Sequence, residues 1–321
     1  MAVSPAAALP QRIIIATRES ALAMWQARHI QGRLIELYPA LEVAINGMTT
    51  EGDRKLDTSL AKIGGKGLFV KELEEALARG DADIAVHSMK DVPMELLAGH
   101  VFAAIPMRAD PRDAFVSNNF PDVVSLPAGA RVGTSSLRRE SQLRARRPDL
   151  VILPLRGNVP TRLRKLDEGQ YDAIILAAAG LKRLGLDGRI SALLGSDDSL
   201  PAAGQGALGI ECRAARDDLV RLLAPLDHTD TSLCVRAERA VARTLAGSCN
   251  VPLAAYGEIT GSSMRLRGYV GAPDGSRAAR AEIEGVAADA DALGVALAQR
   301  LRDAGASEIL AALDLPAPSR S

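Results

Sequence analysis

Short apolar runs alternate along this chain with polar turns and with longer stretches of helical periodicity. The run from Ile13 to Ala16 is too short for a helix and predicts a buried strand, whereas the spacing from Ala21 to about Tyr38 predicts a helix with Ser20 as its N-cap. The same order of strand, polar turn and helix recurs from Arg131 and again from Val151. This repeated unit favours a doubly wound α/β architecture. The remaining elements predicted in this part of the chain are strands at 41–49, 84–86 and 171–177 and helices at 69–78, 137–147 and 160–166.

One of these strands runs directly into a string of polar groups. Ile84, Ala85 and Val86 are apolar, as in the buried strands of parallel sheets, and the residues from His87 to Pro93 that follow include Lys90 and Asp91. Because Pro93 interrupts regular pairing, Lys90 and Asp91 are predicted to lie in a loop just past the carboxyl end of the strand. Ligands bind at this edge of open α/β sheets. On strand geometry alone, an ordinary surface ion pair fits this position equally well.

The last third of the chain follows a different pattern. A helix capped by Asp230 or Thr231 is predicted to run to Leu245, three strand-like stretches follow, and a final helix covers about Asp289 to Ala304. This order of elements predicts a small α+β domain. The preceding Gly- and Ala-rich segment, Leu200 to Ala207, has the composition of a hinge or crossover.

Composition narrows the classes of function. Lys and Arg together equal Asp and Glu at 39 each, and aromatic residues make up only 3% of the 321 residues. Balanced charge and few stacking side chains disfavour nucleic acid and membrane surfaces as partners. No apolar run approaches the roughly 18 residues that span a bilayer, and the Ala/Pro-rich residues 1–10 are predicted to be a disordered tail rather than a secretion signal. The chain is therefore predicted to be cytoplasmic.

Basic residues concentrate in one segment of this otherwise neutral chain. Residues 131–165 hold ten Lys and Arg but only two acids, and no aromatic side chain that could stack on a base. Pairs of polar and basic residues also follow predicted strands: Arg18 with Ser20, Arg138 with Arg139, and Arg156 with Arg162. Guanidinium groups beside the N-terminus of a helix suit a small polyanion with carboxylates. The alternative for the more distal arginines, Arg144, Arg146, Arg147 and Arg164, is a solvated helix face.

The three cysteines are widely spaced and odd in number, which argues against a disulfide framework or a zinc site. Cys249 lies in the small-residue loop Ala246–Asn250, where little would shield a thiol, so it is a candidate reactive group. Cys212 and Cys234 lie among apolar residues and are predicted to pack in the interior. No histidine neighbours Cys249, so a protease-like Cys/His site is not indicated.

Several long motifs, in order, resemble the porphobilinogen deaminase (hydroxymethylbilane synthase) family of tetrapyrrole biosynthesis. The resemblance covers the chain from Ile13 to about residue 310. The motifs are Ala16-Thr17-Arg18-Glu19-Ser20, Lys62-Ile63-Gly64-Gly65-Lys66-Gly67-Leu68-Phe69, Val86-His87-Ser88-Met89-Lys90-Asp91-Val92-Pro93, Asp110-Pro111-Arg112-Asp113-Ala114, Val132-Gly133-Thr134-Ser135-Ser136-Leu137-Arg138-Arg139, Leu155-Arg156-Gly157-Asn158-Val159 and Leu200-Pro201-Ala202-Ala203-Gly204-Gln205-Gly206.

The resemblance implies an enzyme that joins four porphobilinogens head to tail, releases ammonia at each addition, and finally releases hydroxymethylbilane by hydrolysis. It also implies a dipyrromethane cofactor, joined by a thioether to the cysteine that matches Cys249. Ser248 and Asn250 stand where the family often has Gly and Gln, which leaves the thiol in place. Three domains are implied, the first two resembling periplasmic binding proteins with a cleft between them and the third a small α+β domain. Their predicted bounds are 11–105 with 205–224, 106–204, and 225–321.

The resemblance also implies roles for individual residues. Asp91 matches the catalytic carboxylate, which hydrogen-bonds pyrrole N–H groups, handles the proton and stabilises the cationic azafulvene left when ammonia departs. No metal is implied. The residues implied to hold the cofactor are Cys249, Lys90, Ser88, Thr134, Ser136, Arg138, Arg139 and Gly206. Those implied to bind substrate are Arg18, Ser20, Gln26, Arg156, Arg162, Arg183 and, from a lid over the cleft, Lys62 and Lys66.

Two other classes of function compete with this enzyme. A non-catalytic, two-lobed binding protein for small anions explains the arginines and the hinge but not the cysteine loop or the third domain. A nucleic-acid binder that uses residues 131–165 is disfavoured by the missing aromatics and the zero net charge. The predicted partner is therefore the small molecule porphobilinogen, with the protein acting as a monomer that hands its product to the next enzyme of the pathway.

Overall fold

The structure is a computed structural model that describes residues 9–50, 70–245 and 251–313. The predictions for Lys62, Lys66, Cys249 and most of the N-terminal tail fall outside these residues. The strands within them are β1 (Arg12–Arg18), β2 (Glu42–Met48), β3 (Ile84–Ser88), β4 (His100–Ala104), β5 (Asp113–Val116), β6 (Arg131–Gly133), β7 (Val151–Leu153), β8 (Ala173–Ala177), β9 (Ala192–Leu194), β10 (Leu208–Arg213), β11 (Leu253–Thr260), β12 (Ser263–Gly271) and β13 (Ala278–Val286).

The helices, like the strands, alternate with polar turns. They are α1 (Ala21–Leu37), α2 (Lys71–Arg79), α3 (Leu137–Arg146), α4 (Val159–Asp167), α5 (Ala178–Arg183), α6 (Asp217–Leu223), α7 (Thr229–Thr244), α8 (Ala290–Asp303) and α9 (Ala306–Leu313). No helix among the described residues is long and apolar enough to cross a membrane.

The first five-stranded sheet, with its helices α1, α2 and α6, is called here the first lobe. Its strand order is β2-β1-β3-β10-β4, with β1 parallel to β2 and β3. Ile13 and Ile15 pack with α1 and α6 on one face, while Ala16 packs with α2 on the other. Because helices cover both faces, successive residues of β1 are apolar, as the unbroken apolar run predicted.

The second five-stranded sheet, with α3, α4 and α5, is called the second lobe. Its order is β7-β6-β8-β5-β9, with β6 parallel to β7 and β8. The predicted α/β class is confirmed, but both sheets are mixed rather than parallel throughout. In the first lobe β10 runs antiparallel to β3 and β4, and in the second lobe β5 runs antiparallel to β8 and β9. The β10 strand also shows that the chain returns to the first lobe after the second is complete.

The remaining sheet is antiparallel, in the order β11-β12-β13, and packs against α7 and α8. Leu266 and Val270 of β12 share one core with Val241 of α7 and with Leu297 and Leu301 of α8. The α+β prediction for this part of the chain is therefore confirmed.

Helix ends follow the local chemistry in most places. The Ser20 side chain accepts a hydrogen bond from the Ala23 N–H, and Gly80 adopts the left-handed conformation that ends α2. The predicted cap of α7 is wrong: the helix starts earlier, and the ring of His228 accepts from the Thr231 N–H. Asp230 and Thr231 therefore lie inside the first turn.

Candidate active site

A cleft of about 480 Å³ lies between the first and second lobes. The first lobe contributes residues 18–22, Thr49 and the turn after β3, and the second lobe contributes Arg139, residues 157–160, Arg162 and part of α5. Gly206 and Ala207, on the crossover before β10, complete the wall. The cleft therefore gathers the strand-to-helix turns that the sequence marked as polar and basic.

The turn after β3 carries the central acid. β3 ends at Ser88, and residues 89–91 form a single 3-10 turn in which Met89 is buried and its N–H donates to the Ala207 carbonyl at 3.1 Å. With Met89 fixed in the interior, Ser88, Lys90 and Asp91 all line the cleft, and Asp91 is exposed there. Burial lowers the pKa of Lys90 to about 8, although the Asp91 carboxylate opposes the shift. The Lys90 ammonium is thus charged at neutral pH and loses its charge in mild alkali.

Basic side chains surround this turn. Arg18, Lys90, Arg139, Arg162 and Arg183 line the cleft, whose acidic lining residues in the described chain are Glu19 and Asp91. Burial, followed by repulsion from Arg139 and Arg156, lowers the pKa of Arg162 to about 10, while Asp91 opposes the shift. Burial also lowers the pKa of Arg183 to about 10. Crowded, partly desolvated cations of this kind are stabilised by an anionic ligand.

Two helices begin at the same cleft. α1 starts at Ala21 and α4 at Val159, and both residues are in the cleft wall. Asn158 caps α4 by accepting the Thr161 N–H at 2.9 Å. The positive ends of both helix dipoles add to the attraction for negative charge.

Arg138 and Arg139 are held by an acid that the sequence reasoning did not single out. The carboxylate of Asp113, which is fully buried at the start of β5, accepts from Arg138 at 2.8 and 3.2 Å and from Arg139 at 2.8 and 3.0 Å. Ser199 and Gln205 donate to it as well. Burial alone would raise the pKa of Asp113, but the two guanidinium groups hold it well below its usual range.

Arg138 and Arg139 differ in the N–H groups that remain available to a ligand. Both Nη atoms of Arg138 are bonded within the protein, to Asp113, Leu200 and neighbouring groups, and Arg138 does not line the cleft in the described structure. Arg139 uses its Nε and Nη2 on Asp113 and its Nη1 on the Ile175 carbonyl, which leaves one N–H on each Nη because a guanidinium carries five. Arg139 lines the cleft. A ligand role for Arg138 stays a prediction.

Of the other predicted site residues, some lie at the cleft or beside it and some do not. Gly206 lies in the cleft wall, where its carbonyl accepts from Arg183 at 2.7 Å. Gln26 lines a smaller pocket beside the cleft and donates to the Ser88 hydroxyl at 2.8 Å. Among the described residues, Thr134, Ser136 and Arg156 do not line the cleft: the Thr134 hydroxyl accepts the Ser136 N–H, and the half-buried Arg156 lies near enough to Arg162 to lower its pKa.

Sequence reasoning missed three groups of the site. Glu19 and Asn158 lie inside motifs that were recognised, and the position of Asn158 just before a proline-containing helix start is an N-cap signal. Asp113 also lies inside a recognised motif, Asp110–Ala114, but nothing local marks it as a buried acid, because its partners lie 25 and 26 residues further along the chain. Its role becomes visible only when β5 and α3 are packed together.

The donor set fits a dipyrromethane that carries carboxylate side chains. Among the described residues the cleft is lined by five cationic side chains and two acids, and two helices start there, which suits a ligand with several negative charges. Described residues that would hold such a group are Lys90, Arg139 and Ser88. Cys249, the predicted point of attachment, lies outside the described residues.

Comparison with known proteins identifies the family. Residues 13–221 match the family model described as porphobilinogen deaminase, dipyromethane cofactor binding domain, and residues 232–303 match the porphobilinogen deaminase C-terminal domain. The chain belongs to the porphobilinogen deaminase family. It is 63% identical over 304 residues to the porphobilinogen deaminase of Neisseria meningitidis serogroup A, covering 95% of this chain and 98% of that one.

A second relative with the same name matches over nearly the whole chain, and a solved structure aligns with part of it. The porphobilinogen deaminase of Ralstonia nicotianae is 61% identical over 317 residues, covering 98% of this chain and 95% of that one. Among solved structures, the methionine-binding protein MetQ aligns with 15% identity and a TM-score of 0.43, covering 68% of this chain and 90% of that chain. The family expected from the motifs is confirmed, and with it the transferase class and the dipyrromethane cofactor.

Proposed function

We propose that the cleft between the two lobes is where this porphobilinogen deaminase joins four porphobilinogens head to tail, releases one ammonia at each addition, and finally releases hydroxymethylbilane by hydrolysis. The family assigns the reaction and the cofactor. The roles of individual residues are our assignments. The observation that carries them is a cleft in which the exposed carboxylate of Asp91 lines the same space as cationic side chains from both lobes. The other described acid of the cleft, Glu19, accepts a hydrogen bond from the Thr49 hydroxyl.

Asp91 is the proposed catalytic acid and base. Departure of the aminomethyl nitrogen as ammonia leaves a cationic pyrrole, and a nearby carboxylate stabilises that charge and accepts pyrrole N–H hydrogen bonds. Asp91 from the first lobe and Arg162 from the second line the same cleft, and the Asp91 charge partly opposes the lowering of the Arg162 pKa by burial. A substrate with two carboxylates and one reacting aminomethyl group can then be held at both ends.

Carboxylate binding is assigned to the basic residues of the wall. Arg18, Arg162 and Arg183, with Arg156 behind them, are proposed to bind substrate carboxylates, and Lys90 and Arg139 those of the cofactor. Serines of the wall, Ser20 and Ser88, supply polar contacts. When bound, the dipyrromethane supplies the pyrrole carbon to which the first substrate is joined. We assign its attachment to Cys249, and we keep Thr134, Ser136, Arg138 and Gly206 as cofactor contacts and Gln26, Lys62 and Lys66 as substrate contacts.

The three-sheet topology supports the proposed domain bounds. We propose domain 1 at 11–105 with 205–224, domain 2 at 106–204 and domain 3 at 225–321. β10 returns to the first sheet within the second part of domain 1, and β5 to β9 all lie within domain 2. We further propose a cytoplasmic monomer that passes its product to the next enzyme. Cys212 and Cys234 are free and buried, in keeping with a reducing compartment.

A non-catalytic anion-binding protein is not favoured, because both family models are those of an enzyme and together they extend through the third sheet.

Release of ammonia from porphobilinogen tests the proposed function. The purified protein should release one ammonia for each porphobilinogen consumed and form one hydroxymethylbilane for every four. The matched control is the Asp303→Asn variant, which changes an exposed carboxylate in α8 and should behave like the wild type. Binding of porphobilinogen without ammonia release would contradict the proposal and favour the binding protein.

A further inference from the structure

A second pair of titratable groups lies beneath the catalytic turn. His87, in β3, is 5% exposed, and Glu211, in the antiparallel neighbour β10, is fully buried. The Nε2 of His87 and the Oε2 of Glu211 are 2.8 Å apart. Within the described chain the other oxygen of Glu211, Oε1, has no hydrogen-bond partner. The proposed roles of the cleft residues leave this pair unused.

The pair borders the active site. A side pocket of about 60 Å³ opens beside the cleft and is lined by His87 and by Asp91, together with Arg18, Gln26 and Ser88. Arg18, Ser88 and Asp91 line the main cleft as well, so the two spaces adjoin. Half of its lining residues are polar and half are apolar, and its volume is enough for water, which needs about 10–15 Å³ and two to four polar partners. The pocket therefore places Asp91 and His87 on one space that is large enough for a bridging water.

Other titratable groups surround the pair. Glu74 of α2 and His100 of β4 lie near the pair, and burial raises the pKa of Glu74, helped by the Glu211 charge. Both ring nitrogens of His100 are buried without a partner in the described structure. Arg18 and Asp91 face His87 from the pocket side. A carboxylate that accepts from one ring nitrogen orients the imidazole and leaves the other nitrogen for proton exchange, as in other His–carboxylate pairs.

The reaction leaves one proton to be carried away at each addition. Porphobilinogen reacts as its ammonium form: the C–N bond breaks, the nitrogen leaves as neutral ammonia with the bonding electron pair, and a cationic pyrrole remains. The new C–C bond takes its electron pair from the attacking pyrrole carbon, which then loses its proton to a base. If Asp91 takes this proton, it must pass the proton on before it can act as the base again at the next addition. Substrate fills the cleft in front of Asp91, so the proton has to leave by another route.

We propose that His87, oriented by Glu211, receives this proton from Asp91 through the side pocket and returns it to water. The proton balance then closes at each addition, with one ammonia and one proton released and Asp91 restored as the carboxylate. The inference rests on the proposed function.

Kinetics of two variants test the relay. His87→Gln, which cannot carry a proton, should lower kcat about 10-fold or more while KM for porphobilinogen stays within about two-fold. In the wild type kcat should fall at acidic pH, because protonated relay groups cannot accept a further proton, and His87→Gln should change this acidic limb of the pH profile. Glu211→Gln removes the carboxylate that orients the His87 ring, so it should change the acidic limb as well. A role confined to packing would not shift the limb.

The controls distinguish a failure of the relay from a failure to fold, a failure to attach the cofactor, and a failure of the proposed function. The melting temperature and the intact mass of each variant report whether it folds and carries its cofactor. If His87→Gln does not fold, the acidic limb of the pH profile of Glu211→Gln decides. If kcat of the folded variants falls at the same acidic pH as kcat of the wild type, the relay is overturned. The proposed function would still stand in that case, because the wild type releases ammonia. If the wild type itself releases no ammonia, it is the proposed function that fails.

Discussion

Replacing Asp91 with asparagine should abolish turnover and leave the fold intact. The amide side chain keeps the shape and can still contact a pyrrole N–H, but it carries neither the proton nor the negative charge that stabilises the cationic pyrrole. Loss of acid–base and charge-stabilising functions typically costs about 10²–10⁴-fold in kcat. Because Asp91 is exposed in the cleft, the free energy of unfolding should change by no more than about 0.5 kcal/mol.

The measurement is ammonia release at saturating porphobilinogen, with the melting temperature followed in parallel. Asp303→Asn serves as the matched control, since it makes the same chemical change at an exposed position of α8. Near-normal turnover in Asp91→Asn would remove Asp91 from the mechanism. A large fall in melting temperature would instead show that its role is in the fold.

Replacing Asp113 with asparagine should destabilise the protein strongly. The carboxylate is fully buried and accepts hydrogen bonds from Arg138, Arg139, Ser199 and Gln205. Removing its charge leaves two buried guanidinium groups without compensation, and loss of one partner of a buried ion pair costs about 3–5 kcal/mol. Ligand binding in the cleft should weaken too, because Arg139 would lose the hydrogen bonds to Asp113 that hold it in the cleft wall.

The free energy of unfolding in urea measures this effect. The control is Asp172→Asn, which removes a partly exposed partner of Arg131, where the loss should stay below about 1 kcal/mol. Because the pKa of Asp113 is held below its ordinary value, its stabilising contribution is present above about pH 4 and is lost as the pH falls further toward its pKa in the folded state. Equal losses in the two variants would show that Asp113 is not a stabilising centre.

Much of the site could be predicted because it follows strand ends. Arg18 ends β1 and Asp91 follows β3 closely, and the carboxyl ends of parallel strands meet at one edge of a sheet, so the approach of these two residues follows from local pattern. Arg162 follows β7 of the other sheet and reaches the same cleft only because the two lobes lie together. The helix start at Ser20 and the end at Gly80 were equally local.

The parts that escaped prediction depend on distant packing. β5 is four residues long and starts with a charged side chain, so no alternation marks it as a strand or Asp113 as buried. Burial of Arg138, which has the same local sequence signal as Arg139, is decided by Asp113 and by the crossover near Leu200. β10 pairs antiparallel with β3, but the sequence before it shows only a Gly-rich segment. Without the family resemblance, that segment indicated no more than a hinge.

The intact mass of the purified protein is the most direct test of the central claim, that this chain extends a covalently held dipyrromethane. The wild type should exceed the mass of its 321-residue chain by two pyrrole units. Limiting porphobilinogen should add further, heavier species, one substrate residue at a time. The Cys249→Ser variant, which removes the thiol and keeps a similar volume, should show the chain mass alone. A wild-type chain that stays bare after folding in the presence of porphobilinogen would contradict the account.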